Sequence, residues 1–389
     1  MAKGSPRYRI DSARIDGDHL CLRWQDGHNS RYPGIWLLEA CNCEVCGNSE
    51  SAVRSLRLVD KPARPVIEAV RHDDDSLEVD WDDRHHSRFD LTWLRHRCLS
   101  SESYAARQFR PTLWDATIAQ QLPYMEYPAI CADTNLHHRF LQTLLDTGFV
   151  ILRGVPAELE RTAEIAGLVG KLRMTNYEIY ELKTKPNPEL VADLSIPLSL
   201  HTDEPYRIDP PGITFFHVIQ PSGEGGDSTL ADSFRLADEL KRKYPSAFEI
   251  LCRVSASFHR DLVEGRRFEY QHPVIQLDRD GAVSAVRLLD RGMAPVDCAL
   301  DDVEPFYDAL RLFLELAQDP AYAIQVRLES GEMLVFNNQR LMHGRTAFDP
   351  AAGRHVRTCH VDLDEFHSRL RVTYRERGDP RQWMTFRKA

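Results

Sequence analysis

The sequence predicts a mainly β protein with flanking helices, in which a small strand-rich domain precedes a larger double-stranded β-helix (jelly-roll) domain. Two observations predict this fold class. Up to about residue 98, short segments that alternate apolar and polar residues, such as HLCLRW and SLEVDW, are separated by Asp, Gly and Asn turns. Farther along the chain, apolar strands such as ITFFHVI and EMLVFNN mix with a few amphipathic helices. That mixture is typical of two sheets that enclose a pocket.

The order of these elements predicts the domain boundaries. Residues 1–100 form the small domain, residues 101–125 form a polar, helix-poor linker, and residues 126–389 form the jelly-roll domain. In the larger domain the apolar spacing predicts helices near 135–146, 160–171, 232–243 and 302–318. A chain of 389 residues with 42% apolar composition can bury a sizeable core. We identify no internal repeat in the sequence.

Charge and hydropathy argue against several classes of protein. The net charge of −10, with Lys and Arg dispersed among more numerous acids, argues against a nucleic-acid surface and favours a small-molecule substrate. No apolar run approaches the roughly 20 residues of a membrane span, and the first residues lack the apolar core of a signal peptide. We therefore expect a cytoplasmic protein without membrane contact. The nine cysteines, an odd number, are expected to remain thiols.

A crowded group of cysteines in the small domain predicts a metal site. Cys41, Cys43 and Cys46 occur in ACNCEVC, and thiolates at this spacing can turn from one loop onto one soft cation. A closed zinc site needs a fourth ligand, for which the candidates are His85, His86, His96 and Cys98. Because a small module with little apolar sequence benefits from a metal, we interpret the site as structural. The alternative is that these cysteines are exposed thiols without a metal.

A second group of residues predicts a metal site in the larger domain. His201 and Asp203, in LHTDEPYR, are two residues apart on a strand and therefore point to the same face. His343 follows the strand EMLVF, and Arg354 comes eleven residues later. Two histidines and one carboxylate form the facial triad of non-haem Fe(II) oxygenases. The guanidinium of Arg354 is suited to bind a carboxylate through two hydrogen bonds.

These motifs together resemble the γ-butyrobetaine dioxygenase group of the taurine dioxygenase-like 2-oxoglutarate/Fe(II) oxygenases. The resemblance rests on ACNCEVC, DRHHSRF, LHTDEPYR, GEGGDSTLADSF and FNNQRLMHGRTAF followed by RHVRTCHV, and it spans nearly the whole chain. It implies a homodimeric enzyme that uses O2 and converts 2-oxoglutarate to succinate while it oxidises a small substrate. The implied ligands are Cys41, Cys43, Cys46 and His85 for zinc, His201, Asp203 and His343 for Fe(II), and Arg354 and Ser228 for 2-oxoglutarate.

The resemblance also indicates which residues meet the substrate. Members that act on trimethylammonium compounds surround the cation with aromatic rings, but among the matching positions Asn176, Tyr180, Asp193 and His360 only Tyr180 is aromatic. Arg291 matches a position that binds a substrate anion in bacterial relatives, and Glu204 faces either the mouth of the pocket or solvent. The alternative is that Arg291 is a solvated loop residue and Asp193 a turn residue. We therefore expect an amino-bearing, zwitterionic substrate.

Two other functions use some of the same residues. A cupin-type peptidyl hydroxylase or demethylase shares the triad, but such enzymes more often bind 2-oxoglutarate with a lysine on another strand, so that Arg354 counts against this class. A non-enzymatic, zinc-dependent interaction protein predicts no Fe(II)-dependent turnover. Release of succinate in the presence and absence of Fe(II) distinguishes it from both enzymes.

Overall fold

The computed structural model describes residues 8–47, 54–174, 179–183, 195–262, 265–349 and 353–386. The chain divides into a smaller unit, Met1–Phe109 with Tyr374–Thr385, and a larger unit, Arg110–Thr373 with Phe386–Ala389. The sequence had placed the segment 374–385 in the larger domain. The structure places it in the smaller unit because the ring of Trp383 packs on His96, with 5.0 Å between the ring centroids, and Thr385 N donates to Arg107 O at 2.9 Å.

The smaller unit contains two antiparallel, three-stranded sheets, each followed by a short helix. Its elements are β1 (Ile10–Asp16), β2 (His19–Trp24), β3 (Asn29–Pro33), α1 (Gly34–Ala40), β4 (Ile67–His72), β5 (Ser76–Trp81), β6 (His86–Asp90), α2 (Leu91–His96) and α3 (Ser101–Ala106). The segment 101–125, expected to be a helix-poor linker, contains α3 and a 3-10 helix at Ala116–Gln121. Helix α3 starts there because the Ser100 hydroxyl accepts a hydrogen bond from Ser103 N.

The two sheets of the smaller unit repeat one another, contrary to the expectation from sequence. Trp24 Nε1 donates to Ser30 Oγ at 2.8 Å, and Trp81 Nε1 donates to Ser87 Oγ at 2.9 Å. All four side chains are buried, and in both sheets tryptophan and serine are six residues apart at the same place in the second hairpin. The repeat is hard to detect in the sequence because identical residues are few and widely spaced.

The larger unit is mainly β with flanking helices, as predicted. Its elements are β7 (Tyr124–Glu126), α4 (Tyr127–Ala132), α5 (Thr134–Thr147), β8 (Phe149–Arg153), α6 (Arg161–Ala166), β9 (Ile179–Lys183), β10 (Leu198–His201), β11 (Ile213–Gln220), β12 (Ser228–Asp232), α7 (Ser233–Lys243), α8 (Pro245–Arg253), β13 (Ser255–Asp261), β14 (Arg267–Pro273), β15 (Ile275–Leu277), β16 (Val283–Val286), α9 (Leu300–Gln318), β17 (Ala323–Val326), β18 (Met333–Asn337), β19 (Leu341–Arg345), β20 (His355–Val361) and α10 (Leu363–Glu376). Among the residues described, no helix has both the length and the apolar composition needed to cross a bilayer.

Two sheets of the larger unit carry the functional residues. The four-stranded sheet has the order β10-β19-β12-β17, and the six-stranded sheet has the order β7-β8-β18-β11-β20-β9. Apart from the parallel pair β7 and β8, neighbouring strands in both sheets run antiparallel. The central strands β8 and β18 are apolar along almost their whole length because their residues are buried on both faces.

The core also contains a fully buried ion pair beside the first strand residues of β19. Arg340 donates to Asp232 through Nε and Nη2 at 3.0 and 2.8 Å, and it also donates to the backbone oxygens of Asp146 and Thr112. Both side chains are at most 2% exposed. Because Asp232 ends β12 and also caps α7, this pair connects the start of β19 to two other elements.

Candidate active site

Three thiols and one imidazole of the smaller unit converge on one point. The Sγ atoms of Cys41, Cys43 and Cys46 lie 3.3, 3.8 and 3.4 Å from His85 Nε2. Tetrahedral zinc, with bonds of about 2.3 Å to sulfur and 2.0–2.1 Å to nitrogen, separates such atoms by about 3.6 Å. These residues therefore fit zinc, and His85 is the fourth ligand among the candidates. Burial and the neighbouring thiols raise the pKa of Cys46 to about 12, so that a cation is needed to hold all three sulfurs as thiolates.

The structural repeat places a second imidazole and sulfur in corresponding positions. His28 Nε2 lies 3.1 Å from Cys98 Sγ, and these residues match His85 and Cys41 in the repeat. Burial opposes ionisation of the Cys98 thiol, yet hydrogen bonds from His28 and Ser30 outweigh it and lower the pKa to about 6. The hydrogen bond between Cys98 and His28 thus occupies the place that corresponds to the zinc cluster around His85.

The loop that follows each of these cysteines also has the same backbone turn. Gly47 N donates to Cys43 O at 2.8 Å in one copy, and Tyr104 N donates to Ser100 O at 2.8 Å in the other. Ser100 and Ser103 therefore stand where the first copy has Cys43 and Cys46. The second copy lacks two of the three thiols that a zinc site of this kind requires.

The predicted triad of the larger unit is assembled by strand pairing. His201, at the end of β10, is the direct partner of His343 in β19. Asp203 Oδ1 lies 3.6 Å from His201 Nε2, and Asp203 Oδ2 lies 3.5 Å from His343 Nε2. Ligand atoms about 2.1 Å from a common ion stand roughly 3.0–3.4 Å apart. The three side chains therefore fit one metal ion, and two histidines with one carboxylate favour Fe(II) with open coordination positions.

Backbone and amide groups hold the triad in this arrangement. His201 Nδ1 donates to Ser199 O at 2.8 Å, which turns the lone pair of Nε2 toward the metal position. The Asn338 side chain accepts from Asp203 N at 2.7 Å and donates to Asp203 O at 3.1 Å. Thr202 N donates to Leu288 O at 2.8 Å. The chain around Asp203 is thus held by hydrogen bonds within the protein.

The charges of the triad favour a cation. Burial opposes protonation of His201, but Asp203 outweighs burial and raises the pKa of the imidazole. Burial also opposes ionisation of Asp203, and the two imidazoles outweigh it and hold the pKa of the carboxyl well below its usual range. Burial lowers the pKa of His343. A divalent ion must compete with protons for the two imidazoles, so metal binding is expected to weaken as the pH falls.

Two guanidinium groups lie close to the triad. Arg345 is two residues beyond His343 on β19 and therefore points to the same face, and it is the strand partner of Ser228 on β12. The guanidinium carbons of Arg345 and Arg354 lie 4.6 and 5.6 Å from the centroid of the Phe348 ring. Burial and the charge of Arg345 lower the pKa of Arg354 to about 9.

This pair of like charges favours an anion. In the part of the chain that the structure describes, no carboxylate forms an ion pair with Arg354. Arg345, Arg354 and the hydroxyl of Ser228 line the same cavity, and together they are suited to a carboxylate. The sequence analysis named Arg354 and Ser228 and missed Arg345, although the interval of two residues from His343 is a usable signal.

The triad opens onto a cavity of about 470 Å³. Ser228 and Arg354 line both this cavity and a smaller recess of about 20 Å³. Of the predicted substrate residues, the structure brings four to the cavity wall: Tyr180, Glu204, Arg291 and His360. Asn176 and Asp193 lie outside the described residues. Two wall residues that the sequence analysis did not predict are Arg260 and Thr358.

Comparisons with known proteins agree with this site. The family model "Taurine catabolism dioxygenase TauD, TfdA family" matches residues 110–360, and "Gamma-butyrobetaine hydroxylase-like, N-terminal" matches residues 68–125. The gamma-butyrobetaine dioxygenase of Pseudomonas sp. (strain AK-1) is 32% identical over 372 residues, which cover 94% of this chain and 96% of the relative. The human gamma-butyrobetaine dioxygenase is 30% identical, covering 92% and 95% of the two chains. The trimethyllysine dioxygenase of Meyerozyma guilliermondii is 25% identical, covering 94% and 96%.

Proposed function

Because the chain belongs to the taurine catabolism dioxygenase TauD, TfdA family, and is therefore an Fe(II)- and 2-oxoglutarate-dependent dioxygenase, we propose that it hydroxylates a small, amino-bearing, zwitterionic substrate. The matches confirm the resemblance that the motifs indicated. The observation that carries the proposal is that one cavity is lined by the triad, by Arg345, Arg354 and Ser228, and by further residues of both charges. The match over residues 110–360 favours this function over a peptidyl hydroxylase or a non-enzymatic zinc protein.

The roles of the residues follow from their positions. Fe(II) would be held by His201, Asp203 and His343, and the distal carboxylate of 2-oxoglutarate by Arg354 and Ser228. When bound, iron and 2-oxoglutarate supply the oxidising power for an unactivated C–H bond, with O2 consumed and succinate and CO2 released. The chain itself positions the reactants.

The walls of the cavity support a zwitterionic substrate. Glu204 places a carboxylate on the wall, and Arg260 and Arg291 place guanidiniums on it. A molecule with an ammonium and an acidic group can pair with both at once. Gamma-butyrobetaine and trimethyllysine, for which the relatives are named, carry both charges.

The proposal is tested by succinate release from the full-length protein. We expect release to require Fe(II) and 2-oxoglutarate and to be stimulated by at least one member of a panel of amino acids, betaines and aminophosphonates. The substitution Arg354→Lys replaces the planar guanidinium, which can donate two parallel hydrogen bonds, with a compact ammonium group. We therefore expect the KM for 2-oxoglutarate to rise at least about tenfold. Stimulation by none of the zwitterions, or an unchanged KM in the variant, contradicts the proposal.

The homodimer and the cytoplasmic location also belong to the proposal. The motif resemblance supports a homodimer, and light scattering on the purified protein measures its mass. All nine cysteines are free, which supports a reducing compartment.

A further inference from the structure

Glu204, the residue directly after the metal ligand Asp203, has a strained backbone. Its φ is 52°, in the left-handed region that residues other than glycine rarely adopt. Asparagine occurs in this region several-fold more often than most other residues. A strained conformation persists only where the surrounding structure holds it. The contacts that hold this segment therefore bear on the position of the Asp203 carboxylate.

The chain before Asp203 is paired with the residues that follow β16. Thr202 N donates to Leu288 O at 2.8 Å, and Leu288 N donates to Thr202 Oγ1 at 2.9 Å. Thr202 is 2% exposed, so these hydrogen bonds are shielded from water. They fix the point from which the segment after β10 starts.

The chain after Asp203 is held by Arg287, the neighbour of the residue that pairs with Thr202. Arg287 Nη1 donates to the backbone oxygens of Arg207 and Ile208, both at 3.2 Å. Arg287 is 9% exposed, and burial lowers the pKa of its guanidinium. Because burying a charged group costs free energy, its hydrogen bonds to the segment have to offset that cost. The segment is thus fastened on both sides of the metal ligand to adjacent residues.

His272 adds a contact inside the same segment. Its Nε2 lies 3.0 Å from Pro205 O, and the residue is 3% exposed. The imidazole stacks on the ring of Phe258, with 5.0 Å between the centroids and an interplanar angle of 11°. Pro205 follows Glu204 directly in the chain. The strained residue therefore lies between points that His272 and the strand pairing hold.

We propose that Arg287 and His272 are positioning residues of the iron site, which hold Glu204 in its left-handed conformation and thereby aim the Asp203 carboxylate at the metal. This inference rests on the proposed function, because Asp203 is a ligand of the Fe(II) that the oxidation requires. Without these contacts Glu204 relaxes in the metal-free protein, and part of the free energy of metal binding is then consumed in restoring the strained backbone. The affinity for Fe(II) falls although the three ligands are unchanged.

The test measures Fe(II) binding by the full-length protein with zinc bound in the smaller unit. Calorimetric titration without oxygen and without 2-oxoglutarate gives the Kd of Fe(II). Arg287→Met keeps the length of the side chain and removes its donors. We expect the Kd to rise about tenfold, the lower end of the loss caused by removing a group that supports a metal ligand. His272→Phe keeps a ring to stack on Phe258, is expected to act in the same way, and serves if the methionine variant does not fold. An unchanged Kd in both folded variants overturns the inference.

Arg327→Met is the matched control. Arg327 also donates to backbone oxygens, those of Ser222, Gly223 and Gly225, but this loop carries none of the three triad residues. Its replacement should leave the Kd of Fe(II) unchanged. A rise as large as that in Arg287→Met would mean that the loss of any such guanidinium loosens the unit, and would contradict the assigned role.

A second substitution at Glu204 separates backbone strain from a general loosening of the fold. In the Arg287→Met background, Glu204→Asn and Glu204→Gln both remove the charge, but asparagine tolerates the left-handed conformation better. We expect the asparagine variant to recover most of the lost affinity for Fe(II) and the glutamine variant to recover none. Equal Kd values for the two double variants refute the role of the strain.

Failure of the proposed function gives a different result. Fe(II) binding is measured without 2-oxoglutarate, so the comparison of Kd values does not depend on turnover. A parent protein that binds Fe(II) but releases no succinate with any zwitterion contradicts the proposed function alone. A parent protein that binds no Fe(II) overturns both.

Discussion

A second zinc site can be completed in the smaller unit by two substitutions. The double variant Ser100→Cys with Ser103→Cys places thiols where the other copy of the repeat has Cys43 and Cys46, in a loop with the same backbone turn. His28 Nε2 and Cys98 Sγ are 3.1 Å apart, and tetrahedral zinc requires about 3.6 Å, so that the imidazole must retreat by only about 0.5 Å. We therefore expect the zinc content to rise from one to two ions per chain.

The free energies favour this outcome. Loss of the Ser100 hydroxyl, which caps α3 by accepting from Ser103 N at 3.2 Å, costs roughly 0.5–2 kcal/mol. Structural zinc bound by Cys and His contributes on the order of 10 kcal/mol at neutral pH. Ser103 is 9% exposed, so its replacement thiol stays on the inner side of the loop.

Metal analysis of the chelator-washed protein measures the stoichiometry. The matched control is Ser101→Cys with Ser103→Cys, which adds the same number of thiols but places one on an exposed position, and it should retain one zinc. Adding Cys98→Ser to the double variant should also return the content to one. A folded double variant that still binds a single zinc would show that the correspondence between the two copies does not extend to their ligand geometry.

Three further predictions concern the larger unit. His343→Ala should abolish Fe(II)-dependent succinate release and leave the zinc content unchanged, because the two clusters share no ligand; residual full turnover rules out the triad. Asp232→Asn should lower the free energy of unfolding by roughly 3–5 kcal/mol, measured by urea denaturation, because it leaves the Arg340 guanidinium buried without its counter-charge; a loss below about 1 kcal/mol contradicts this. Burial lowers the pKa of His217 to about 4 from its ordinary 6.5. Between these two pH values the unfolded chain holds a proton that the folded chain does not, so the free energy of unfolding falls as the pH decreases from 6.5 toward 4. His217→Gln should reduce the slope of unfolding free energy against pH by up to about 1.4 kcal/mol per pH unit between pH 5 and 6, and an unchanged slope would mean that the imidazole is protonated in the folded protein.

Residues that are close in the chain were predictable, since strand geometry relates them directly. His201 and Asp203 share a strand face at an interval of two, and three cysteines in one loop are close enough to turn onto a common point. The remote ligands His85 and His343 needed the additional information of the motif resemblance or of the strand order. The general class, a mainly β protein with flanking helices, also followed from residue alternation.

Other features depended on three-dimensional packing. The interval from His343 places Arg345 on the same face of β19, but its position opposite Ser228 follows only from the pairing of β19 with β12. The C-terminal segment 374–385 was assigned to the larger domain because sequence order gives no information about the contact between Trp383 and His96.

The division of the site between two sheets has a consequence for the position of oxidation. The metal ligands His201 and His343 belong to the four-stranded sheet, whereas Thr358 and His360 belong to the six-stranded sheet. The rings of His343 and Phe216 are in contact, with 5.4 Å between their centroids, and Phe216 is the strand partner of Thr358. The separation between the metal ligands and the part of the cavity wall formed by the six-stranded sheet is therefore set by packed aromatic rings. A substrate that contacts this wall should be oxidised at a carbon determined by this separation, so lengthening the chain beyond that carbon should change the affinity more than the site of oxidation.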